Sequence, residues 1–305
     1  MRADVLVREL ADRLESAGID QAAAVARELV AWVAGVTPGR LYAVTGLDAA
    51  AVSRAREGAD RVAAHTPVQH VTGIAGFWGR DLAVGPGVFI PRPETEMLAD
   101  WAGRRLRSRG VVTSPGTSGQ SPLVVDLCSG SGALALAMHD VLPGARVLAV
   151  ERSPQALVWL RRNVEGTPVE IVAGDMAEVP HEFDGRVDLV VANPPYVPSG
   201  THLPPDVAGH DPDEALFAGT DGLDAVRVLV GVAGRLLRPG GVLAFEHDDS
   251  QGASAPAVAV ADGRFVDVED HDDLAGRPRF TTARRADDDR GSHGDRGLHG
   301  SGVGG

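Results

Sequence analysis

The stretch that most constrains the fold runs from Leu123 to Leu142. Leu123-Val124-Val125-Asp126-Leu127 reads as a buried strand, Cys128-Ser129-Gly130-Ser131-Gly132 as a tight turn, and Ala133 to Leu142 as an apolar helix. A strand that feeds through a glycine-rich turn directly into a helix opens a crossover to a parallel neighbour rather than a hairpin. The unit then repeats. Arg146 to Val150 is a second strand ending at Glu151, Gln155 to Asn163 a helix, Val169 to Ala173 a third strand ending in Gly174-Asp175, and Val187 to Ala192 a fourth. A helix near Leu223 to Leu237 and a strand at Val242 to Phe245 follow. This alternation predicts an α/β fold, a parallel sheet wound with helices on both faces. Ligands of such sheets bind outside the carboxyl ends of the strands. Asp126, Glu151, Asp175 and Asn193 all fall at or beside strand ends, so they are expected to meet in one crevice.

The chemistry of that crevice is partly legible. Gly130-Ser131-Gly132-Ala133-Leu134-Ala135 fits the G-x-G-x-x-G/A pattern at the first strand-to-helix turn, and Glu151 lies about 20 residues further on, where an acid accepts hydrogen bonds from ribose hydroxyls. This much allows either NAD or S-adenosylmethionine. Asp175 is placed either to hold the adenine amino group or to cap its own loop. Cys128 has no obvious base nearby and reads as a small buried residue. The fourth strand separates the two cofactors. It ends in Asn193-Pro194-Pro195-Tyr196, where two prolines stiffen the backbone. The Asn193 side-chain carbonyl and the Pro194 main-chain carbonyl are acceptors, and Tyr196 adds a ring. Two acceptors beside an aromatic face form a clamp for a planar group bearing an NH2. Such a clamp suits methyl transfer to an amide or amine nitrogen, in which alignment and desolvation do most of the catalysis. It needs no metal. Hydride transfer would call instead for a proton donor at the substrate carbonyl.

Composition narrows the alternatives. The formal net charge of -13 over 305 residues disfavours a broad electrostatic grip on nucleic acid. All 29 basic residues are Arg, which removes lysine-based catalysis. One cysteine excludes an intramolecular disulfide and a multi-cysteine zinc site. The N-terminus lacks a signal-peptide pattern, and no apolar run reaches the ~18 residues of a membrane span. A cytoplasmic protein without membrane contact is expected. Residues 1 to 66 carry Val7, Leu10, Leu14, Val25, Leu29 and Val33 at helical spacing and read as a small helical domain with a structural or recognition role. Residues 67 to 88 read as a hairpin linker, and residues 89 to 285 as the α/β domain. Within the latter, Glu94-Thr95-Glu96 opens an amphipathic helix ending near Arg109-Gly110, followed by a flexible loop from Thr113 to Pro122. Residues 286 to 305 read as a disordered acidic, glycine-rich tail.

Taken together, Pro67-Val68-Gln69-His70-Val71-Thr72-Gly73, Phe77-Trp78-Gly79, Phe89-Ile90-Pro91-Arg92-Pro93-Glu94-Thr95-Glu96, Asp126 to Gly132 and Asn193 to Pro198 resemble the HemK-like protein glutamine N5-methyltransferases that modify peptide chain release factors. Asp211-Pro212, Ala215-Leu216-Phe217, Asp221-Gly222-Leu223 and Asp273 to Arg277 are similar to that family too, so the likeness runs from about Pro67 to Arg285. The resemblance implies a Rossmann-like class I S-adenosylmethionine-dependent methyltransferase domain behind a small N-terminal helical domain that docks the release factor; the sequence does not give the oligomeric state, and a monomer is the expectation. It implies that the substrate is the glutamine of the Gly-Gly-Gln loop. Asn193 and Pro194 would bind its amide, and Pro195 and Tyr196 would shape the slot. Asp126, Cys128, Ser129, Gly130, Ser131, Gly132, Glu151, Asp175, Met176 and Asn193 would hold S-adenosylmethionine under a cover formed by Phe89. Two positions depart from the family pattern. Asp248 stands where many relatives have Gly, and Cys128 often corresponds to Gly, although a Cys also occurs in related ribosomal-protein glutamine methyltransferases. Methylation of a ribosomal protein or of a nucleic-acid amino group, NAD-dependent oxidation and a non-catalytic binding module are the competing readings.

Overall fold

The computed structural model describes residues 1–108 and 121–287. The expected loop from Thr113 to Pro122 and the expected tail therefore lie almost wholly outside the described residues. The chain begins with α1 (Ala3–Ser16), α2 (Ala22–Ala34), α3 (Ala49–Ala63) and the short α4 (Val68–Thr72). On α1 the buried seam is Leu6, Leu10 and Leu14, one residue every turn, so those side chains stack on a single face. Leu29, Val30 and Val33 of α2 and Ala55, Ala59 and Val62 of α3 meet that seam. Asp48 caps α3 by accepting the Ala51 amide at 2.7 Å.

The segment read from sequence as a hairpin linker proves to be two things. Val68 and Val71, spaced to share one helical face, bury into the N-terminal core, so residues 68–72 fold as α4. The hairpin itself is β1 (Ile74–Phe77) paired with β2 (Arg80–Ala83). Its two-residue turn, Trp78-Gly79, has φ of +52° and +71°, the mirror-image turn that matches strand twist. The Trp78 amide donates to Glu96 Oε1 at 2.7 Å. That bond fastens the hairpin to α5 (Thr95–Ser108), and Phe77 and Leu82 join the core of the following domain.

That domain is a three-layer α/β/α sandwich. Its strands are β3 (Leu123–Leu127), β4 (Arg146–Glu151), β5 (Glu170–Ala173), β6 (Val187–Ala192), β7 (Leu237–Glu246), β8 (Phe265–Asp272) and β9 (Pro278–Arg285). They form one seven-stranded sheet in the order β5-β4-β3-β6-β7-β9-β8. The first five are mutually parallel, as the alternation predicts. β9 runs antiparallel to both β7 and β8, an edge hairpin that the sequence reading did not contain. α5, α6 (Ala133–Val141) and α7 (Pro154–Val164) cover one face. After two short turns of helix, α8 (Pro205–Ala208) and α9 (Asp213–Leu216), α10 (Asp224–Leu236) and α11 (Ser254–Asp262) cover the other. Val124 of β3 packs into one layer and Val125 into the other, which is why the strand reads as an unbroken apolar run. The strand order reverses between β3 and β6, so the crevice opens there. No helix among the described residues is long and apolar enough to cross a membrane.

Candidate active site

A cavity of about 630 Å³ lies over the carboxyl ends of β3 to β6. The turn after β3 shapes its floor. The Ser129 amide donates to Val150 O at 3.0 Å and the Gly132 amide to Ser129 O at 2.7 Å, closing the turn tightly. Cys128 sits there with φ +63°, a left-handed conformation that a glycine adopts without cost. Burial pushes its thiol up to about 12, with the Glu151 and Asp126 charges adding to the effect. Its Sγ rests 3.9 Å from Met176 Sδ. Gly132 starts α6 at φ +87°, and a Cβ there would meet Leu160 Cδ1 at 2.7 Å, so its lack of a side chain lets α6 and α7 approach.

Three acidic residues stand at the ends of successive strands. Asp126 is fully buried; its Oδ2 accepts the Ala135 amide at 3.0 Å, whereas its Oδ1 has no partner. Burial pushes its carboxyl up to about 8. Glu151 takes the Gly130 amide on Oε2 at 2.8 Å and the Ser153 amide on Oε1 at 2.7 Å, so it braces the glycine-rich turn while still lining the cavity. Asp175 does cap its loop, accepting the Ala177 amide at 2.9 Å, and also meets Arg152 at 3.2 Å. Carboxylates and open lone pairs of this kind suit a ligand bearing an ammonium group and hydroxyls.

Asn193 enters the same cavity from the end of β6. Its Nδ2 donates to Thr95 Oγ1 at 3.2 Å. Thr95 Oγ1 donates in turn to Glu246 Oε2 at 2.5 Å, and Tyr196 OH donates to Glu246 Oε1 at 3.1 Å. Thr95 and Glu246 are 3% and 1% exposed, so the inner end of this network is buried, while Thr95, Asn193 and Tyr196 border the cavity. Burial raises the Glu246 carboxyl above its ordinary value, while the two hydroxyls and nearby Arg279 pull it back. Burial also lifts the Tyr196 phenol well above its usual range, and the Glu246 charge adds to that. The loop is held from behind. Gln251 Nε2 donates to Tyr196 O at 3.0 Å and Asp221 O at 3.1 Å, and its Oε1 accepts the Asp248 amide at 3.0 Å. Asp248 caps this turn by accepting the Ser250 amide at 3.0 Å. Its φ of -66° needs no glycine.

Phe89 lines the cavity with Arg92 stacked on it at 5.1 Å, and Arg92 pairs with the buried Asp211 at 2.8 Å. Asp126, Cys128, Ser129, Gly130, Ser131, Glu151, Asp175, Met176, Asn193, Pro195 and Tyr196 also face the cavity. Pro194 is buried beside it and Gly132 lies beneath the turn; neither side of the chain there contributes to the lining. Sequence reasoning gave no site role to Thr95, Glu246 or Gln251. Thr95 and Glu246 are separated by 151 positions and carry no motif spacing of their own, so only the fold joins them.

Residues 6–73 match the PrmC N-terminal domain and residues 114–208 the methyltransferase small domain. The release factor glutamine methyltransferase of Streptomyces coelicolor is 46% identical over 282 residues, covering 92% of this chain and 97% of that protein. The 4-amino-L-phenylalanine/4-methylamino-L-phenylalanine methyltransferase of Streptomyces pristinaespiralis is 42% identical over 260 residues, covering 84% of this chain and 87% of its own length. Among solved structures, a 16S rRNA N2 methyltransferase of T. thermophilus in complex with AdoMet and guanosine has a TM-score of 0.48 at 22% identity, over 70% of this chain and 49% of that one. With near-complete coverage at this identity, the chain belongs to the release factor glutamine methyltransferase family.

Proposed function

We infer that this protein transfers a methyl group from S-adenosylmethionine to the side-chain amide nitrogen of the glutamine in the Gly-Gly-Gln loop of a peptide chain release factor. It does so as a cytoplasmic monomer, with its N-terminal helices docking the substrate. The observation that carries the reading is that Asn193 and the Asp126–Gly130 turn, at the ends of adjacent strands, face one cavity. The donor fits the residues present. The unpartnered Oδ1 of Asp126 suits an ammonium group, Glu151 has lone pairs left for ribose hydroxyls, and Asp175 and Met176 border the space for adenine. Bound S-adenosylmethionine supplies a sulfonium methyl, the electrophile.

The chain's own residues then prepare the nitrogen. A neutral amide nitrogen is a poor nucleophile because its lone pair is delocalised. A carbonyl acceptor on one of its hydrogens, Asn193 Oδ1, increases its electron density, fixes its direction and stabilises the positive charge that develops on it; Pro194, off the cavity lining, would serve as the second acceptor only if its carbonyl is uncovered when substrate binds. Tyr196 is not the base, because its phenol is held protonated and donates to Glu246. The proton leaves to water.

Mass spectrometry of a purified release factor incubated with the protein and S-adenosylmethionine tests this. One added methyl on the Gly-Gly-Gln glutamine is expected. Asn193→Ala is expected to lower turnover by on the order of 10²–10³ while leaving cofactor affinity nearly intact. No methyl on the release factor from a folded, cofactor-binding protein would overturn the substrate assignment. Methylation of 4-amino-L-phenylalanine instead is the second reading, favoured by the Streptomyces pristinaespiralis relative.

A further inference from the structure

We propose that Thr95 and Glu246 are positioning residues that decide which end of the Asn193 amide faces the substrate. An amide side chain can present either its oxygen or its NH2, and the two ends are nearly the same shape. Only the oxygen can accept a hydrogen from a substrate NH2; the other end repels it. The choice must therefore be made by what lies behind Asn193.

The direction of each hydrogen bond follows from donor counting. Glu246 accepts a hydrogen bond on each of its two oxygens. One oxygen takes the Tyr196 hydroxyl at 3.1 Å and the other the Thr95 hydroxyl at 2.5 Å, a length typical of a charge-assisted bond. Thr95 has one hydroxyl proton, and it is committed to Glu246. At its own oxygen Thr95 can then only accept, and its partner at 3.2 Å is Asn193 Nδ2. The NH2 end of Asn193 is thereby turned inward, and Oδ1 is left without a protein partner among the described residues, at the wall of the cavity. The carboxylate thus imposes a polarity that passes through one hydroxyl to the clamp, in a network whose buried members all find partners. Thr95 opens α5 and Glu246 closes β7, so two rigid elements hold the network rather than a loop.

This inference rests on the amide-methylation reading above, and its test separates the two. Thr95→Val removes the hydroxyl at nearly constant shape. Glu246→Gln replaces an acceptor-only group by one whose NH2 end competes for the same hydroxyls. Both are expected to lower kcat for release-factor methylation by roughly 10- to 100-fold, with the cofactor Kd little changed. Thr95→Ser, which keeps the donor and acceptor, is expected to recover most of that loss. The second measurement needs no substrate. NMR hydrogen exchange of the Asn193 side-chain amide, identified by its disappearance in Asn193→Ala, should show slow exchange in the wild type and in Thr95→Ser. Exchange should be at least tenfold faster in Thr95→Val and Glu246→Gln. Unchanged amide exchange in Thr95→Val, or full turnover by it, overturns the proposal. If the wild type leaves release factor unmodified, the substrate reading fails and the amide exchange alone decides the positioning role.

Discussion

Burial holds the Asp126 carboxyl at a pKa of about 8, so the ligand-free protein carries it largely protonated at neutral pH. An ammonium group beside Oδ1 favours the carboxylate and pulls that pKa down. Cofactor binding at pH 7 is therefore expected to release up to one proton, and affinity should rise with pH until about 8, where the free carboxyl is already ionised. Isothermal titration calorimetry in buffers of different ionisation enthalpy measures the proton directly. Asp126→Asn should abolish the release and weaken binding by about 1–3 kcal/mol. Proton-neutral binding by the wild type would mean that Asp126 does not meet the ammonium. The sign for stability is opposite. The folded pKa is raised from 3.8, so this group's contribution to the stability of the ligand-free fold is complete below 3.8 and is lost as pH rises toward about 8. A melting-temperature series with and without cofactor separates the two effects, since only the ligand-free series should decline over that range.

The loop after β6 owes its position to the elements around it, chiefly to Gly222 and Gln251. Gly222 has φ +73°, and a Cβ there would lie 2.2 Å from Tyr196 O. The obstacle is backbone, not a flexible side-chain tip, so Gly222→Ala cannot be absorbed by a rotamer change. It is expected to cost about 1–3 kcal/mol and to reduce turnover at least tenfold, with cofactor affinity nearly constant because the β3 turn is untouched. Wild-type turnover in that variant would show that the contact does not set the place of Asn193. At this scale the sequence was an uneven guide. The buried parallel strands were plain, because strands covered on both faces are continuous apolar runs such as Val124-Val125 and Leu189-Val190-Val191. β8 was invisible for the opposite reason. Phe265 to Asp272 alternates apolar and acidic residues at a sheet edge, its pairing with β9 shifts register, and Asp267 sits at φ +53°. It reads as an acidic loop until β9 pairs with it. The site shows the same division. Residues carrying chemistry at strand ends, such as Asp126, Glu151 and Asn193, could be named from spacing. Thr95, Glu246 and Gln251 act through hydrogen bonds between distant segments and could not.

Among the described residues the N-terminal helices bury a cluster of their own, apart from those of the sheet domain, and α4 packs into that N-terminal cluster. Val68 and Val71 are 8% and 7% exposed because they bury into the N-terminal helices, whereas Phe77 and Leu82 bury into the sheet domain. α4 also meets the segment after α8, where His70 lies edge-on to His210 at 6.1 Å, next to the Asp211 that pairs with Arg92. Two truncations separate folding from docking. A chain starting at Gly73 retains the buried clusters of the sheet domain and should fold, melt cooperatively and bind cofactor with nearly the affinity of the full protein. A chain starting at Pro67 keeps α4 but strips away the helices that cover Val68 and Val71. Exposing that pair should make it less soluble than the shorter chain, although it is only six residues longer. If the N-terminal helices dock the substrate, the Gly73 chain should show a KM for release factor raised at least tenfold and a smaller fall in kcat, the latter from the loss of His70 against the 210–212 loop. An unchanged KM would make the helices a packing layer without a docking role. Better solubility of the Pro67 chain would put the division between the domains back where the spacing of the sequence first suggested it.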